Sequence, residues 1–151
     1  MDETFIKMCK EATEIQEGWK PTLYDLFGWI GGDGNCHFVK VTPTVLNNFR
    51  RDEDLDGYFW VPRQEDLQEI YLNSDAQFVY AYSNSINKHK TYLGILGDLT
   101  NWLDYHLRCG VPETKMKNYE FMTTNFEIMW LCFVMETVYN KRWNGSTWEV
   151  I

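Results

Sequence analysis

The segment from Phe126 to Val138 is apolar on nearly every side of the helix that its residues predict. A helix of this kind has to be buried, because a surface helix keeps a polar face toward water. The chain has 151 residues, which suits a single domain with one core. We therefore expect a central, buried C-terminal helix with the other elements packed around it.

Local signals mark both ends of this helix. At its start, Thr124-Asn125-Phe126-Glu127 has the form of a capping box, in which Thr124 and Glu127 each bind a backbone N–H of the other. After it, Asn144-Gly145 lies between residues that can pair, which is a strong signal for a tight turn. The sequence thus predicts a short C-terminal hairpin that is held together by Trp143 and Trp148.

The rest of the chain alternates between helical and strand patterns. The predicted helices cover Asp2–Glu17, Thr42–Phe49, Pro62–Leu72 and Thr91–Arg108, and the predicted strands cover Leu23–Ile30, Cys36–Val41 and Ala76–Tyr82. Gly31–Asn35 reads as the turn of a hairpin, and Tyr58–Val61 is a short apolar segment. These patterns predict an α+β fold, a single domain over residues 1–151 with helices packed on a small antiparallel sheet.

Aromatic residues make up 17% of the chain, with seven Trp, nine Tyr and nine Phe. That number exceeds what a core of this size usually holds. One interpretation is an aromatic-rich core with a few exposed rings. The other is that some rings lie at the surface and anchor a partner or ligand, as aromatic side chains often do.

The net charge of −8 argues against a general nucleic-acid binder, since such proteins need a basic face to displace counterions. It favours solubility and suits a basic partner.

The cysteines indicate a reducing compartment. Cys9, Cys36, Cys109 and Cys132 form no C-x-x-C pair, so we expect four reduced thiols and a cytoplasmic protein. The chain opens with acidic residues rather than a signal peptide, and the apolar stretch Ile128–Val134 is too short to span a bilayer. We expect no contact with a membrane.

One acidic segment resembles the start of a calcium-binding loop. Asp52, Asp54 and Asp56 alternate and precede Gly57, a spacing at which carboxylates can converge on one hard cation. The residue at the closing position is Arg63 rather than the required glutamate. The alternatives are a weak cation site and a solvated acidic turn.

A second candidate is a ligand or partner site at Trp60, Arg63 and Gln64, beside Pro62 at a predicted helix start. Helix N-termini attract anions, so Arg63 could bind a carboxylate or phosphate while Trp60 stacks on a ring. The structural alternative has Trp60 in the core and Arg63 paired with an acid such as Asp56.

Catalytic signatures are absent from the sequence. It contains no nucleophile elbow, dinucleotide fingerprint or His-x-x-x-His pair. This favours a non-enzymatic protein, and no cofactor is expected. A hydrolase with a distributed site at Asp104, His106 and Cys109 stays open.

Several segments resemble small uncharacterised proteins from phages and prophages of Gram-positive bacteria. The resemblance covers about a quarter of the chain: Ile15–Pro21, Trp60-Val61-Pro62-Arg63-Gln64-Glu65-Asp66-Leu67-Gln68-Glu69, Met129–Met135, Tyr139–Lys141 and Trp143–Trp148. The chain departs from that family's usual residues at Val61 and Asp66, and Asn73–Tyr119 shows no resemblance. The resemblance implies a phage origin and an intracellular life in an infected bacterium. It implies no activity.

The leading hypothesis is a phage accessory protein that binds a host component. It would be a counter-defence protein that inhibits a host immune protein or sequesters that protein's nucleotide signal. The alternatives are a structural or assembly protein of the phage particle, and the hydrolase above. The sequence leaves the oligomeric state open.

Overall fold

The computed structural model describes residues 2–52, 57–75, 91–108 and 125–151. Its elements, in chain order, are α1 (Glu3–Glu11), α2 (Thr13–Glu17), β1 (Leu26–Ile30), β2 (Cys36–Lys40), α3 (Pro43–Asp52), β3 (Tyr58–Val61), α4 (Gln64–Asn73), α5 (Tyr92–Arg108), α6 (Phe126–Tyr139), β4 (Lys141–Trp143) and β5 (Trp148–Val150). The predicted α+β class is confirmed. The chain divides into two compact units, Met1–Pro62 and Arg63–Ile151, and the single domain stays a prediction. The strand predicted at Ala76–Tyr82 lies outside the described residues.

Unit 1 begins with two short helices where the sequence predicts one. Asp2 caps α1 by accepting hydrogen bonds from the N–H groups of Thr4 and Phe5. The helix stops at Ala12, whose ψ of 69° is outside the helical range, so the prediction of one helix over Asp2–Glu17 is wrong at this residue. The predicted apolar face is nevertheless confirmed, and its five members are buried: Phe5, Met8, Cys9, Ala12 and Ile15.

The sheet of unit 1 has three antiparallel strands in the order β2-β1-β3. The predicted hairpin is confirmed, with Ile30 opposite Cys36 at its closed end. The third strand, β3, forms where the sequence predicts only a short apolar segment. Its Trp60 lies opposite Phe27 of β1 and its Tyr58 lies opposite Trp29.

Unit 2 is organised around α6, as the sequence predicts. Eight consecutive residues, Ile128–Met135, are buried, so the helix has no solvent-facing side over two turns. The capping box predicted at Thr124 and Glu127 is wrong by one residue, because Asn125 is the cap. Its Oδ1 accepts hydrogen bonds from the N–H groups of Glu127, at 3.0 Å, and Ile128, at 3.2 Å.

The C-terminal hairpin is also confirmed. Trp143 of β4 lies opposite Trp148 of β5, with ring centroids 5.2 Å apart. Gly145 supplies the positive φ of 104° that the turn needs. Among the described residues, no helix combines the length and the apolar character that crossing a bilayer requires.

Candidate binding site

The structure places Trp60 in the packed part of unit 1. Its ring stacks in parallel on Trp19, with centroids 6.1 Å apart and planes 4° apart, and the residue is only 9% exposed. The Trp19 indole in turn donates to the buried carboxylate of Asp25 at 3.0 Å. One face of the Trp60 ring is therefore covered by Trp19 and is closed to the ring of a ligand.

Arg63 and Gln64 belong to unit 2, at the start of α4. The Arg63 guanidinium donates two hydrogen bonds to the Asp66 carboxylate, from Nε to Oδ2 at 3.1 Å and from Nη2 to Oδ1 at 3.0 Å. Asp66 Oδ2 also accepts the Arg63 backbone N–H at 2.7 Å, which completes a cap. The donors that the sequence suggested for an anion thus contact a carboxylate of α4, and a ligand or partner site at Trp60, Arg63 and Gln64 stays a prediction. Gln64 is the half-buried first residue of that helix.

The calcium-like segment is only partly described. Asp54 and Asp56 lie outside the described residues, and Asp52 is the last residue of α3. The cation site at these three residues stays a prediction. Within the described part of the chain, no group of three His, Cys, Asp or Glu side chains is placed to hold a metal ion.

A row of three rings crosses the sheet of unit 1 at its turn end. His37 of β2, Trp29 of β1 and Tyr58 of β3 are cross-strand neighbours, and we call them the aromatic row. The Trp29 ring stacks on the His37 ring at 5.2 Å and meets the Tyr58 ring edge-on at 6.0 Å. Tyr58 is 41% exposed and the His37 side chain is 45% exposed. Rings that are ordered by their neighbours yet exposed to solvent can bind a partner at little entropic cost.

The next row of the same sheet face supports the aromatic row from the core side. It consists of Val39, Phe27 and Trp60, of which Phe27 and Trp60 are buried. Phe27 contacts Tyr58 edge-on at 5.4 Å and Trp29 at 6.3 Å. This packing fixes the positions of the exposed rings.

The turn between β1 and β2 adds a carboxylate beside the aromatic row. Asp33 Oδ1 lies 3.5 Å from His37 Nε2, and Asp33 accepts hydrogen bonds from the side chain and the backbone N–H of Asn35. These hydrogen bonds, with a further contribution from His37, hold the pKa of Asp33 below its usual value. A Cβ built on Gly31 would lie 2.6 Å from both Asp33 Oδ1 and His37 Nε2, so the glycine is needed for this arrangement. The turn thus presents an ionised carboxylate next to exposed rings.

The sequence interpretation missed the aromatic row. The surplus of aromatic residues does not reveal which rings are exposed, and the sequence of Tyr58–Val61 predicts a short apolar segment rather than a strand. The sequence does show that Phe27 and Trp29 are two residues apart and so lie on one face of their strand, and the same holds for His37 and Val39. Without β3 to place Tyr58 beside Trp29, these pairs do not form a row.

Unit 2 contains a second polar group, made of His106, Glu136 and Arg142. His106 Nε2 donates to Glu136 Oε1 at 3.0 Å, and Arg142 donates to the same carboxylate through Nη2 at 2.7 Å and Nε at 3.3 Å. Burial alone would raise the pKa of Glu136, but the hydrogen bonds and charges of His106 and Arg142 outweigh it and lower this pKa. The cluster ties α5, α6 and β4 together, which is a structural role.

The proposed hydrolase gains no nucleophile from this cluster. Cys132 lies one turn before Glu136, but burial, and secondarily the Glu136 charge, raise the pKa of its thiol well above the usual value. Cys109 lies outside the described residues, and the His106 imidazole already contacts Glu136. The arrangement of Asp104, His106 and Cys109 as a catalytic site therefore stays a prediction.

Searches for related proteins find no match among family models, curated proteins or solved structures.

Proposed function

We propose that this chain is a phage-encoded, non-enzymatic accessory protein that binds a host protein through the aromatic row. The observation that supports this most is the exposure of His37 and Tyr58 on either side of the half-buried Trp29 ring. Ordered, partly exposed Trp and Tyr rings are the side chains that most often dominate binding energy in protein interfaces. The phage setting rests on the resemblance of the sequence, and the proposal includes action in the cytoplasm of an infected or lysogenic bacterium.

Charge favours a basic partner. The chain has a net charge of −8, and the Asp33 carboxylate lies beside the aromatic row. A lysine or arginine side chain of the partner can pair with Asp33, and another can lie against the exposed Tyr58 ring. Inhibition of a host immune protein by this contact would make the chain a counter-defence protein.

Sequestration of a nucleotide signal is less well supported. Such a site needs a cation for the phosphates beside its stacking rings. The six cross-strand side chains of this sheet face include no lysine or arginine: Phe27, Trp29, His37, Val39, Tyr58 and Trp60. Arg63, the cation that the sequence suggested for this role, is engaged by Asp66.

Capture from host lysate tests the proposal. Wild-type protein and the variants Trp29→Ala and Tyr58→Ala are immobilised, with Tyr92→Ala as the matched control because Tyr92 is an exposed tyrosine of α5. We expect wild type and Tyr92→Ala to retain the same host protein, and the two row variants to lose it. The same four genes are then compared in infections of hosts with and without defence systems.

Two results would overturn the proposal. One is capture that is equal for all four proteins, together with phage growth that does not depend on the gene. The other is a thermal shift with cyclic or ADP-ribose-type nucleotides that Trp29→Ala abolishes, since this outcome would establish a nucleotide site instead.

A further inference from the structure

The two edges of the three-stranded sheet in unit 1 differ in how their backbone groups are satisfied. At the outer edge of β3, the Gln16 side chain takes the place of a neighbouring strand. Its Nε2 donates to the Trp60 carbonyl at 3.0 Å, and its Oε1 accepts the Trp60 N–H at 2.6 Å. An open strand edge can pair with another chain, so this contact blocks pairing at the centre of β3.

The outer edge of β2 has no equivalent cover within the described part of the chain. On the inner side, Gly31 N–H donates to Asn35 O and Val41 N–H donates to Asp25 O, both at 2.8 Å. Along an antiparallel strand, the backbone N–H and C=O groups of successive residues point alternately toward and away from the neighbouring strand. The odd-numbered residues from Asn35 to Val41 therefore hydrogen-bond toward β1. The backbone groups of Cys36, Phe38 and Lys40 consequently point outward, and no described residue is hydrogen-bonded to them.

This edge is accessible and carries opposite charges at its two ends. The Phe38 residue is 36% exposed, and Lys40 is exposed as well. Asp33 lies at the turn that precedes β2, and Lys40 is the last residue of the strand. A segment that pairs with β2 meets a carboxylate at one end and an ammonium group at the other.

We infer that the outer edge of β2 accepts an extended segment of the partner protein as a fourth strand, with a basic residue of that segment at the Asp33 end. This inference rests on the proposed function and specifies how the partner binds. A strand added to β2 would lie about 4.8 Å from it. Its side chains on the face of the aromatic row would then be next to His37, and a long basic side chain would reach Asp33. Lys40 disfavours a second basic residue at the other end.

Proline substitution at outward positions tests this inference. Phe38→Pro removes an outward N–H and leaves the inward bonds of β2 intact, a position at which edge strands tolerate proline. Phe38→Ala is the matched control, because it also loses the contact between the Phe38 and Phe59 rings but keeps the backbone N–H. Lys40→Pro and Lys40→Gln form a second pair, for use if Phe38→Pro does not melt cooperatively.

The probe is a display library of random decapeptides, selected on the wild-type protein. Enriched peptides are synthesised, and their binding to each variant is measured by fluorescence anisotropy. We expect enriched peptides to contain Lys or Arg, and to bind the proline variant about tenfold more weakly than its matched control. Amide exchange of wild-type protein with such a peptide should slow at Phe38 and Lys40.

Three outcomes would overturn the inference: no enriched peptide, equal binding to the proline variant and its control, or a wild-type dimer that the proline variant converts to monomer. The last would assign the edge to a second copy of the chain. Failure here is distinguishable from failure of the proposed function. If Trp29→Ala and Tyr58→Ala lose the host protein while Phe38→Pro retains it, strand addition is wrong and binding through the aromatic row stands.

Discussion

Gln16 and Trp60 are 44 positions apart in the chain, and the side-chain amide of the first satisfies both backbone groups of the second. The same Gln16 Nε2 also donates to Cys9 O at 2.9 Å, near the break between α1 and α2. The Gln16 side chain thus joins the N-terminal helices to β3, the edge strand that carries Tyr58 and Trp60.

Replacing Gln16 with leucine should destabilise the protein. Gln16→Leu leaves the N–H and the carbonyl of Trp60 without their partner in a partly buried position, which costs about 1–3 kcal/mol of the free energy of unfolding. Urea denaturation followed by tryptophan fluorescence measures this loss. Glu17→Leu, at the exposed next position, is the control and should change stability by about 0.5 kcal/mol or less. Equal stability of the two variants would contradict the role of Gln16.

Gly28 should not tolerate a side chain. A Cβ built there would lie 2.7 Å from Phe59 Cζ and 2.9 Å from Phe38 Cε1, because both rings close over the glycine. We expect Gly28→Ala to lower the free energy of unfolding by about 1–3 kcal/mol through overpacking. Gly18→Ala is the matched control, since its new methyl group would enter open space at an ordinary φ of −84°. A Gly28→Ala variant as stable as Gly18→Ala would show that the two rings can move apart.

Loss of the Glu136 charge should destabilise the protein in a pH-dependent way. The pKa of Glu136 is lowered in the folded protein, so its stabilising effect is present above the unfolded pKa, about 4.5, and is lost as the pH falls through the lower folded value. Glu136→Gln should therefore cost about 2–4 kcal/mol at pH 7, because it breaks a buried pair. The cost should shrink below about pH 4.5.

Thermal or urea unfolding of wild type and Glu136→Gln between pH 3 and pH 7 gives this comparison. Glu69→Gln, an exposed acid of α4, serves as the control and should follow wild type throughout. A difference between wild type and Glu136→Gln that stays constant with pH would contradict the assignment of a lowered pKa.

The sequence pattern and the structure assign the cap of α6 to different residues, Thr124 and Asn125 respectively. Asn125→Ala removes the acceptor of two backbone N–H groups and should cost about 1 kcal/mol of unfolding free energy. Thr124→Ala should cost less, because Asn125 already satisfies those donors. Denaturant midpoints of the two variants decide between them, and a larger loss for Thr124→Ala would place the cap where the sequence pattern put it.

Local patterns predicted α6, the hairpin at Trp143 and the β1–β2 hairpin, because periodicity and turn residues operate over a few positions. The break at Ala12 was not predictable from periodicity, since the apolar face continues through it. It accompanies the hydrogen bonds of Gln16, which depend on a strand 44 positions away.

The sequence predicted the chemical type of the candidate site, exposed aromatic rings, but not the residues that form it. A surplus of aromatic residues indicated exposed rings without identifying them, and of the two alternatives for Trp60 the structure has the one in which its ring packs inside, against Trp19. For Arg63 the sequence left open an anion or an acidic partner such as Asp56, and the structure pairs it with Asp66, three residues further along the chain. Such pairings depend on side-chain geometry that motif spacing does not contain.

The most direct test of the account is the affinity of the captured host protein for the row variants, measured by isothermal titration calorimetry. We expect the double variant Trp29→Ala, Tyr58→Ala to bind about a hundredfold more weakly than wild type, while Tyr92→Ala binds within about threefold of it. Equal affinity of wild type and the double variant would contradict the assignment of the aromatic row as the binding surface.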